Sequence, residues 1–401
     1  MSNTSPSPPY PRVSFHKGAH KRLQSGHPWV FSNEVVMDTA AKVLPPGALV
    51  TLTDAGGQGL ATAYFNAKTL IAARVLSPVP DEAVDAAFVA RRIASALALR
   101  ERIFAAPFYR LIHAEADGLP GLAVDRFGET CVIQPNTAGM TALLDAVVKA
   151  LDETIAPKCI VLRGDSGARK LEGLEDDVRV LRGSSSETTE VKESALTFFA
   201  DLMSGQKTGW YFDQRDNHAF MGILSSGALV LDLYTHTGGF ALTCAQAGAK
   251  TVEAVDSSEP ALALANKAAD ANGLASKCTF TRSDVFAFLE KAIADGKTWD
   301  VVIADPPPFI KSKKDLKAGL QGYRKLARLC AQVTAPGGFM FQASCSHNAP
   351  PPEFQSAVVR GVSDARRTGR VIRTSRAGPD HPVHPQLPES AYLKAVVLQL
   401  D

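Results

Sequence analysis

The chain has 401 residues, of which 45% are hydrophobic and 21% charged, and its formal net charge at pH 7 is only +2. This length predicts two or three domains, and this composition is typical of a globular protein. The near-neutral charge excludes a chain-wide attraction to nucleic acid, so a polyanionic partner would have to be bound by local patches. No run of roughly 18 apolar residues occurs, which argues against a membrane span.

Three basic runs can supply such patches, at residues 12–22, 311–317 and 360–376. Any one of them fits a solvated surface equally well, but three runs in a near-neutral chain favour a polyanionic partner. The six cysteines are far apart and form no CxxC pair. This spacing argues against zinc, iron–sulfur and disulfide frameworks, so no metal site is predicted, and unpaired thiols are typical of the cytoplasm.

The first half of the chain predicts a leader and two small domains. Residues 1–12 are rich in Ser and Pro and lack an apolar segment, which predicts a disordered leader. In residues 13–78, short β-rich runs alternate with turn signals such as "DAGGQG", which predicts a small, mostly β domain. Apolar spacings of three and four then predict a helix across residues 81–104. Further strands, a second helix near 141–155 and an exit loop at 181–193 complete a central α+β domain at 79–192.

From residue 193 to 401, strand-like and helix-like segments alternate. This alternation predicts βαβ units and a doubly wound, Rossmann-like parallel sheet, so the fold class is α/β. Ligands of such a sheet bind beyond the carboxyl ends of its strands. The candidate ligand-binding residues are therefore those that directly follow each strand.

Acidic residues follow the first three strands of this sheet. "DLYTHTGGF" at 232–240 brings two glycines close to a ligand but lacks the G-x-G-x-x-G of a pyrophosphate site. Asp256 ends the second strand, where a carboxylate can bind ribose hydroxyls, and Asp284 ends the third, near an adenine amino group. Each acid alone fits a helix N-cap, but three in register favour S-adenosylmethionine over NAD. The candidate cofactor residues are Asp232, Tyr234, Thr237, Gly238, Gly239, Phe240, Asp256, Ser257, Asp284 and Val285.

The fourth and fifth strands end in residues that suit chemistry on a base. In "DPPPF", the prolines form a rigid turn that directs Asp305 into a cleft beside Phe309. An acceptor beside an aromatic ring suits a planar base. The alternative is that this segment is a rigid loop that binds no ligand. Cys345 follows the fifth strand between Ser344 and Ser346. Free cysteines are usually buried and inert, but this position predicts a thiol that faces the same cleft as Asp305.

These motifs resemble those of the RlmI-like 23S ribosomal RNA cytosine-C5 methyltransferases. The resemblance extends over residues 15–400 and includes "KGAHKRLQSGHPWVFSNEV" at 17–35 and "ADGLPGLAVDRFG" at 116–128. The long string "DLMSGQKTGWYFDQRDNH" at 201–218 and "DHPVHP…YLKAVVL" at 380–398 also match. The resemblance implies an N-terminal PUA-like RNA-binding domain, a central α+β domain and a class I methyltransferase domain that uses S-adenosylmethionine.

The resemblance also implies roles for single residues. Cys345 is the implied nucleophile, and Asp305 the implied contact to the target base. Further implied cofactor contacts are Lys207, Tyr211, Asp213 and Arg215. Predicted substrate contacts are Pro306, Pro307, Phe309 and Lys311 near the base, and Lys17 and Arg22 in the PUA-like domain. The expected partner is RNA, and the expected location is the cytoplasm.

Some alternatives stay open. Pro308 stands where relatives commonly have Lys, so Lys311 is the candidate for that charge, and the base that removes the C5 proton is not identified. An N-methyltransferase that acts on an exocyclic amine also uses Asp-Pro-Pro-aromatic turns and needs no cysteine. A non-catalytic RNA-binding or ribosome assembly factor is a further alternative, and the absent G-x-G-x-x-G disfavours a nicotinamide oxidoreductase. The oligomeric state is open, with a homodimer as one alternative.

Overall fold

The computed structural model describes residues 8–205 and 208–401, which form two compact units. Unit 1 contains the described part of Met1–Glu187 together with Asp201–Gly209 and Pro379–Ser390. Unit 2 contains Thr188–Ala200, Trp210–Gly378 and Ala391–Asp401. The first seven residues of the predicted leader, and Lys207, lie outside the described residues.

The end of the predicted leader is folded. Tyr10 is buried, its hydroxyl accepts a hydrogen bond from the Val84 amide at 3.1 Å, and its own amide donates to Asp81 at 3.1 Å. The prediction of disorder is therefore wrong from Tyr10 onward. An aromatic ring that reaches a core stabilises a Pro-rich segment that has no periodic pattern of its own.

The first sheet of unit 1 is the small β structure predicted at residues 13–78. Within the described residues its strands are β1 (Arg12–Ser14), β2 (Trp29–Phe31), β3 (Ala48–Thr53), β4 (Gly59–Phe65) and β5 (Ile71–Ser77). The strand order is β1-β3-β4-β5-β2, and the predicted "DAGGQG" turn joins β3 and β4 as an antiparallel hairpin. Two short helices, α1 (Lys21–Gln24) and α2 (Thr39–Lys42), connect the outer strands.

The second sheet of unit 1 has the order β10-β9-β8-β7-β6. Its strands are β6 (Phe108–His113), β7 (Leu122–Phe127), β8 (Thr130–Pro135), β9 (Cys159–Gly164) and β10 (Asp177–Arg182). The helices are α3 (Ala86–Ile103), α4 (Ala138–Ala142), α5 (Leu144–Thr154) and α6 (Gly167–Leu171), with a 3-10 turn at Ala114–Asp117. Helix α3 starts where Asp85 caps the Phe88 amide at 2.9 Å, inside the predicted helix of residues 81–104.

Two later segments of the chain belong to unit 1, where buried side chains bind them. The Arg100 side chain is fully buried, donates to both oxygens of Asp117 at 2.6 and 2.7 Å, and donates to the Asp380 carbonyl at 3.0 Å. Asp125 accepts from Arg110 at 2.8 Å and from the Thr208 hydroxyl at 2.6 Å. Asp125 thus holds Thr208, and Arg100, which Asp117 fixes, holds Asp380. The predicted domain boundaries assign Thr208 and Asp380 to the C-terminal domain.

Unit 2 begins with a hairpin of β11 (Thr189–Glu193) and β12 (Leu196–Ala200). The exit loop predicted at residues 181–193 is therefore wrong at both ends: Leu181 and Arg182 end β10, and the last five residues form β11. The alternation of Val191 and Glu193 inward with Lys192 outward is the signal that a polar composition conceals.

The main sheet of unit 2 has seven strands among the described residues. They are β13 (Leu229–Leu233), β14 (Thr251–Asp256), β15 (Cys278–Arg282), β16 (Trp299–Ala304), β17 (Thr334–Ser344), β18 (Gly369–Ser375) and β19 (Lys394–Leu400). The order is β15-β14-β13-β16-β17-β19-β18. The first five strands in this order pair in parallel with their neighbours, as predicted. Strand β19, in contrast, runs antiparallel to both β17 and β18.

Helices cover this sheet and complete its core. They are α7 (Arg215–Ile223), α8 (Gly239–Gln246), α9 (Glu259–Ala271), α10 (Val285–Ala294), α11 (Leu316–Val333) and α12 (Pro351–Asp364), with 3-10 turns at Phe212–Gln214 and Lys313–Asp315. A large apolar cluster joins α10, α11 and α12 to the strands. The chain leaves β13 toward β14 and returns to β16, so the switch point of the sheet lies at β13. Among the described residues, no helix is long and apolar enough to cross a membrane.

The buried Arg100 cluster gives a test of unit 1. We expect Arg100→Leu to lower the free energy of unfolding by about 3–5 kcal/mol, because it leaves the Asp117 carboxylate buried without its partner. Urea titration measures this loss, and hydrogen exchange of the α3 amides assigns it to unit 1. The control is Arg91→Leu, whose partner is Glu82 and whose side chain is 61% exposed; its expected cost is about 0–1 kcal/mol. Equal losses for both variants would contradict this account of Arg100.

Candidate active site

The loop that follows β13 is shaped by an unusual backbone. Tyr234 and His236 have φ angles of 64° and 52°, in the left-handed region that costs a non-glycine residue about 1–3 kcal/mol. The His236 amide donates to Asp256 Oδ2 at 2.9 Å, which ties this loop to the end of β14. Gly238, at φ 86°, then starts α8. Such strain persists only where neighbouring contacts enforce it, and it is concentrated at ligand sites.

Asp256 and Asp284 lie at the ends of neighbouring strands, as predicted. The two Asp256 oxygens accept from the amides of Ser258 and His236 at 2.8 and 2.9 Å, and each oxygen has room for one more donor. Asp284 is exposed and caps α10 through the Ala287 amide at 2.9 Å. Burial raises the pKa of Tyr234, and the carboxylates of Asp284 and Asp256 raise it further. Both carboxylates therefore lie near the half-buried Tyr234 ring.

This arrangement fits an adenosine. The acceptor oxygens of Asp256 suit ribose hydroxyls, Asp284 offers an acceptor for an amino group, and the half-buried Tyr234 ring offers an apolar surface. The absence of a G-x-G-x-x-G turn after β13 agrees with a ligand that carries no phosphates. Asp256, Asp284 and Tyr234 are thus the residues that would hold S-adenosylmethionine.

Other predicted cofactor residues serve the packing of this loop. Asp232 is fully buried, and its Oδ2 accepts from the Thr235 hydroxyl at 2.6 Å and the Ala241 amide at 3.0 Å. A Cβ atom on Gly239 would lie 2.7 Å from a ring carbon of His218, so this glycine permits helix packing. The side chains of Thr237, Phe240 and Val285 are buried, whereas Ser257 is exposed. Burial leaves the backbone of Phe240 and Val285 as the part able to contact a ligand.

The segment before α7 supplies one side chain that spans the site. Burial raises the pKa of Tyr211, and the nearby charges of Asp305, Asp213, Cys345 and Asp256 raise it further. Tyr211 therefore lies among the residues of both the cofactor end and the base end. Its ring also contacts the His236 ring edge-on, with centroids 5.1 Å apart.

Asp213 and Arg215 are bound within unit 2. Asp213 accepts a hydrogen bond from the Tyr392 hydroxyl, and its carbonyl accepts from the Gly378 amide at 3.1 Å. The Arg215 Nε lies 3.7 Å from Glu193, a buried acid that also binds His218 Nδ1 at 2.6 Å. These contacts hold the segment that carries Asp213 and Arg215 in place within unit 2.

The Asp305 carboxylate is held by a chain of side-chain hydrogen bonds. Asp305 Oδ2 accepts from Gln214 Nε2 at 2.8 Å. Gln214 Oε1 accepts from Asn217 at 2.6 Å, and Asn217 Oδ1 accepts from the Ser375 hydroxyl at 2.6 Å. Sequence reasoning missed this relay. Gln214 and Asn217 stand in the "DQRDN" string, but no local spacing connects them to an aspartate 91 residues away.

Cys345 lies directly after β17 and is partly exposed, as predicted. The serines on either side of it are buried and bind the Tyr323 hydroxyl at 2.8 and 2.9 Å. The Phe309 amide donates to the same hydroxyl at 3.3 Å. This hydroxyl cluster therefore joins the "DPPPF" turn to the turn that carries Cys345. Ala304 pairs with Gln342, so Asp305 and Cys345 lie at the same edge of the sheet.

Lys394 is a residue of this site that sequence reasoning missed. Its Nζ donates to the carbonyl oxygens of Ser346 and Tyr392 at 2.5 and 2.9 Å. A lysine at the start of the buried run "KAVVLQL" breaks the apolar pattern. Because buried lysines are rare, this break was the sequence feature that could have identified Lys394.

The predicted substrate contacts differ in their surroundings. Pro306 is buried, Phe309 is half-buried, and Pro307 and Lys311 are exposed. Lys17 is exposed in unit 1. Arg22 has contacts within unit 1, because one of its guanidinium nitrogens lies 2.8 Å from His27 Nε2 and the group lies over the Phe31 ring.

Asp232 gives a test through pH. Burial raises its pKa to about 7, whereas an unfolded aspartate titrates near about 3.9. The folded state therefore favours the protonated Asp232 carboxyl. The contribution of this group to the free energy of unfolding is full below about pH 4 and is lost as pH rises through about 7. In Asp232→Asn, the amide oxygen still accepts from Thr235 and Ala241, but this dependence disappears. We expect the wild-type free energy of unfolding to fall by about a few kcal/mol relative to the variant between pH 4 and 8. Parallel curves from urea titrations would contradict the burial effect.

Comparison with known proteins agrees with this geometry. A PUA-like domain model matches residues 13–78, and an S-adenosylmethionine-dependent methyltransferase model matches residues 154–398. Ribosomal RNA large subunit methyltransferase I of Erwinia tasmaniensis is 36% identical over 392 residues, which cover 96% of this chain and 98% of the relative. The protein of that name from Cronobacter sakazakii is 36% identical over 390 residues, with the same coverage.

Solved structures agree in fold. The crystal structure of SMU.776, a methyltransferase complexed with SAH, superposes with a TM-score of 0.83 at 20% identity and covers 97% of this chain and 100% of that one. A SAM-dependent methyltransferase from Streptococcus mutans superposes with a TM-score of 0.81 at 20% identity, with the same coverage. The predicted fold class and the predicted cofactor, S-adenosylmethionine, are confirmed. The chain therefore belongs to the ribosomal RNA large subunit methyltransferase I family of S-adenosylmethionine-dependent methyltransferases.

Proposed function

We propose that this methyltransferase forms 5-methylcytosine in 23S ribosomal RNA and that Cys345 is its nucleophile. The observation that carries the proposal is the position of the thiol, which is partly exposed at the end of β17 and lies at the same sheet edge as Asp305. The names of the relatives give large-subunit ribosomal RNA as the class of substrate. The expected location, the cytoplasm, follows from that substrate.

The chemistry needs a thiolate. Carbon 5 of cytosine is too weak a nucleophile to take a methyl group unaided. When the Cys345 sulfur bonds to C6, the C5–C6 π electrons make C5 a nucleophilic enamine carbon. This covalent adduct replaces one difficult step with two easier ones. S-adenosylmethionine, when bound, supplies the electrophilic methyl group. Loss of the C5 proton then restores the double bond and releases the thiolate.

Asp305 orients the base in this proposal. Because Gln214 fixes Oδ2, the carboxylate has one orientation in which it accepts from the exocyclic amine of cytosine. By binding the exocyclic amine, the carboxylate orients the base for attack at C6. The half-buried Phe309 ring, held against Tyr323 with centroids 4.7 Å apart, forms an apolar wall for the ring.

Local basic runs bind the RNA backbone. Lys311, Lys313, Lys314 and Lys317 are exposed on the segment that follows the Asp305 turn. Lys17 provides charge in the PUA-like domain, which we assign to residues 13–78. Unstacking the target base costs about a few kcal/mol, and phosphate contacts offset that cost.

Arg367 of the third basic run is instead used within unit 2, where it donates to the carbonyls of Ala331, Thr334 and Asp401.

A second candidate function is methylation of an exocyclic amine. The turn at Asp305, with buried Pro306 and the Phe309 ring, also suits a planar amine, and that reaction uses no thiol. The two candidates differ in the product and in the need for Cys345.

Replacement of Cys345 separates the two candidates. We expect Cys345→Ala to lower methyl transfer to unmodified 23S ribosomal RNA by roughly 10³-fold or more, with unchanged cofactor affinity in equilibrium dialysis. The control is Cys278→Ala, at another partly exposed cysteine, with unchanged turnover. RNA with 5-fluorocytidine at the target should trap a denaturation-resistant adduct with the wild-type protein, because fluorine cannot leave as a proton does. Full activity of Cys345→Ala, or N4-methylcytosine as product, would overturn the proposal.

The relay to Asp305 gives a second activity test. Gln214→Leu removes the donor that orients the carboxylate, so we expect kcat to fall about 10- to 100-fold while cofactor affinity stays unchanged. Ser375→Ala, at the far end of the relay, should cost less than about threefold. Steady-state kinetics at saturating cofactor measure both effects. A normal kcat in Gln214→Leu would mean that Asp305 needs no orientation by this amide.

A further inference from the structure

Lys394 is bound on both sides of the turn that carries the thiol. In the register of β17 and β19, Lys394 pairs with Ser344, the residue before Cys345. Its Nζ donates to the carbonyl of Ser346, the residue after Cys345, at 2.5 Å and to that of Tyr392 at 2.9 Å. Strand pairing and side-chain bonds thus fix the amine beside Cys345.

The surroundings of this amine are unusual for a lysine. Lys394 is only 7% exposed. Burial lowers its pKa to about 8, and the Cys345 sulfur opposes that shift. Among the described residues, no carboxylate contributes to the pKa of Lys394. A negative charge on the Cys345 sulfur therefore favours the ammonium form of Lys394.

Several other titratable groups lie near Cys345 among the described residues. Tyr211 and Tyr323 both have a pKa raised by burial, so both stay neutral in the physiological range. Asp305, at the end of the neighbouring strand, is an anion that opposes thiolate formation. The His347 ring packs against the Tyr392 ring, with centroids 5.1 Å apart, and the Tyr392 hydroxyl donates to Asp213. A positive charge at Lys394 acts against the effect of Asp305.

We propose that Lys394 is a positioning residue for Cys345 and that its ammonium group stabilises the thiolate that attacks the base. The inference rests on the proposed function. Two N–H bonds of the Lys394 ammonium group point to carbonyl oxygens. When the thiol proton passes to water, the S–H electron pair stays on sulfur, and the charge of the ammonium group stabilises the resulting thiolate.

The test titrates the thiol without RNA or cofactor. The full-length protein is alkylated with iodoacetamide between pH 5.5 and 10, and mass spectrometry of the peptide that contains Cys345 gives the rate at each pH. Lys394→Gln retains an N–H donor for the two carbonyls but removes the charge. Lys394→Met removes both, and circular dichroism checks that each variant is folded. The matched control is Lys277→Met, because Lys277 also donates to a backbone carbonyl, at 3.3 Å, and lies near Cys278.

We expect the wild-type thiol to titrate below the usual value of about 8.5. Both Lys394 variants should raise the apparent pKa of Cys345 by at least about one unit, which slows alkylation at pH 7 about tenfold. Lys277→Met should leave the curve unchanged. The inference is overturned if folded Lys394→Gln titrates like the wild type, or if Lys277→Met shifts the curve equally.

This outcome is independent of the test of the proposed function. Alkylation reports the coupling of Lys394 and Cys345 whether or not the thiol attacks cytosine. If Cys345→Ala retains methylation, the proposed mechanism fails although the titration can still succeed. If the titration fails while Cys345→Ala is inactive, the mechanism stands and Lys394 has only a structural role.

Discussion

The parallel register of β13, β14, β16 and β17 is the constraint on which the site depends. Parallel strands bring their carboxyl ends to one edge, so residues distant in the chain meet without any local sequence signal between them. Asp256 ends β14, and Asp305 and Cys345 directly follow β16 and β17. The order of the strands places Asp256 on one side of β13 and Asp305 and Cys345 on the other. Transfer of a group between two bound molecules needs this division of the edge.

The positions of the strand ends do not by themselves determine the orientation of the side chains. Buried hydrogen bonds determine that orientation. The Tyr323 hydroxyl contacts both serines beside Cys345 and the Phe309 amide, so two loops share one buried centre. Gln214 fixes the Asp305 carboxylate from a third segment. A buried polar group that loses its partner costs about 1–3 kcal/mol, so displacement of any one loop is penalised through the others. The site is therefore preorganised by its support.

Local patterns predicted the elements that local interactions determine. The "DAGGQG" hairpin, helix α3 and the parallel strands from β13 to β17 follow from turn residues and apolar periodicity. The features that were missed depend on distant partners. Tyr10 is folded because Val84 and Asp81 bind it, and β19 pairs antiparallel with a strand more than fifty residues earlier in the chain. Gln214 and Lys394 acquire their roles only when the fold brings them to Asp305 and Cys345. Sequence spacing carries no information on such contacts.

The burial of Lys394 is the step that connects stability to chemistry. Removing an ammonium group from water costs several kcal/mol unless hydrogen bonds and an opposite charge compensate. Two carbonyl oxygens satisfy part of this need but carry only partial charges. A neutral Cys345 leaves the remainder unbalanced, whereas a thiolate balances it. In the proposed mechanism, the fold therefore favours the charged pair over a thiol beside a buried cation, and the cost of burying Lys394 becomes a driving force for ionisation of Cys345.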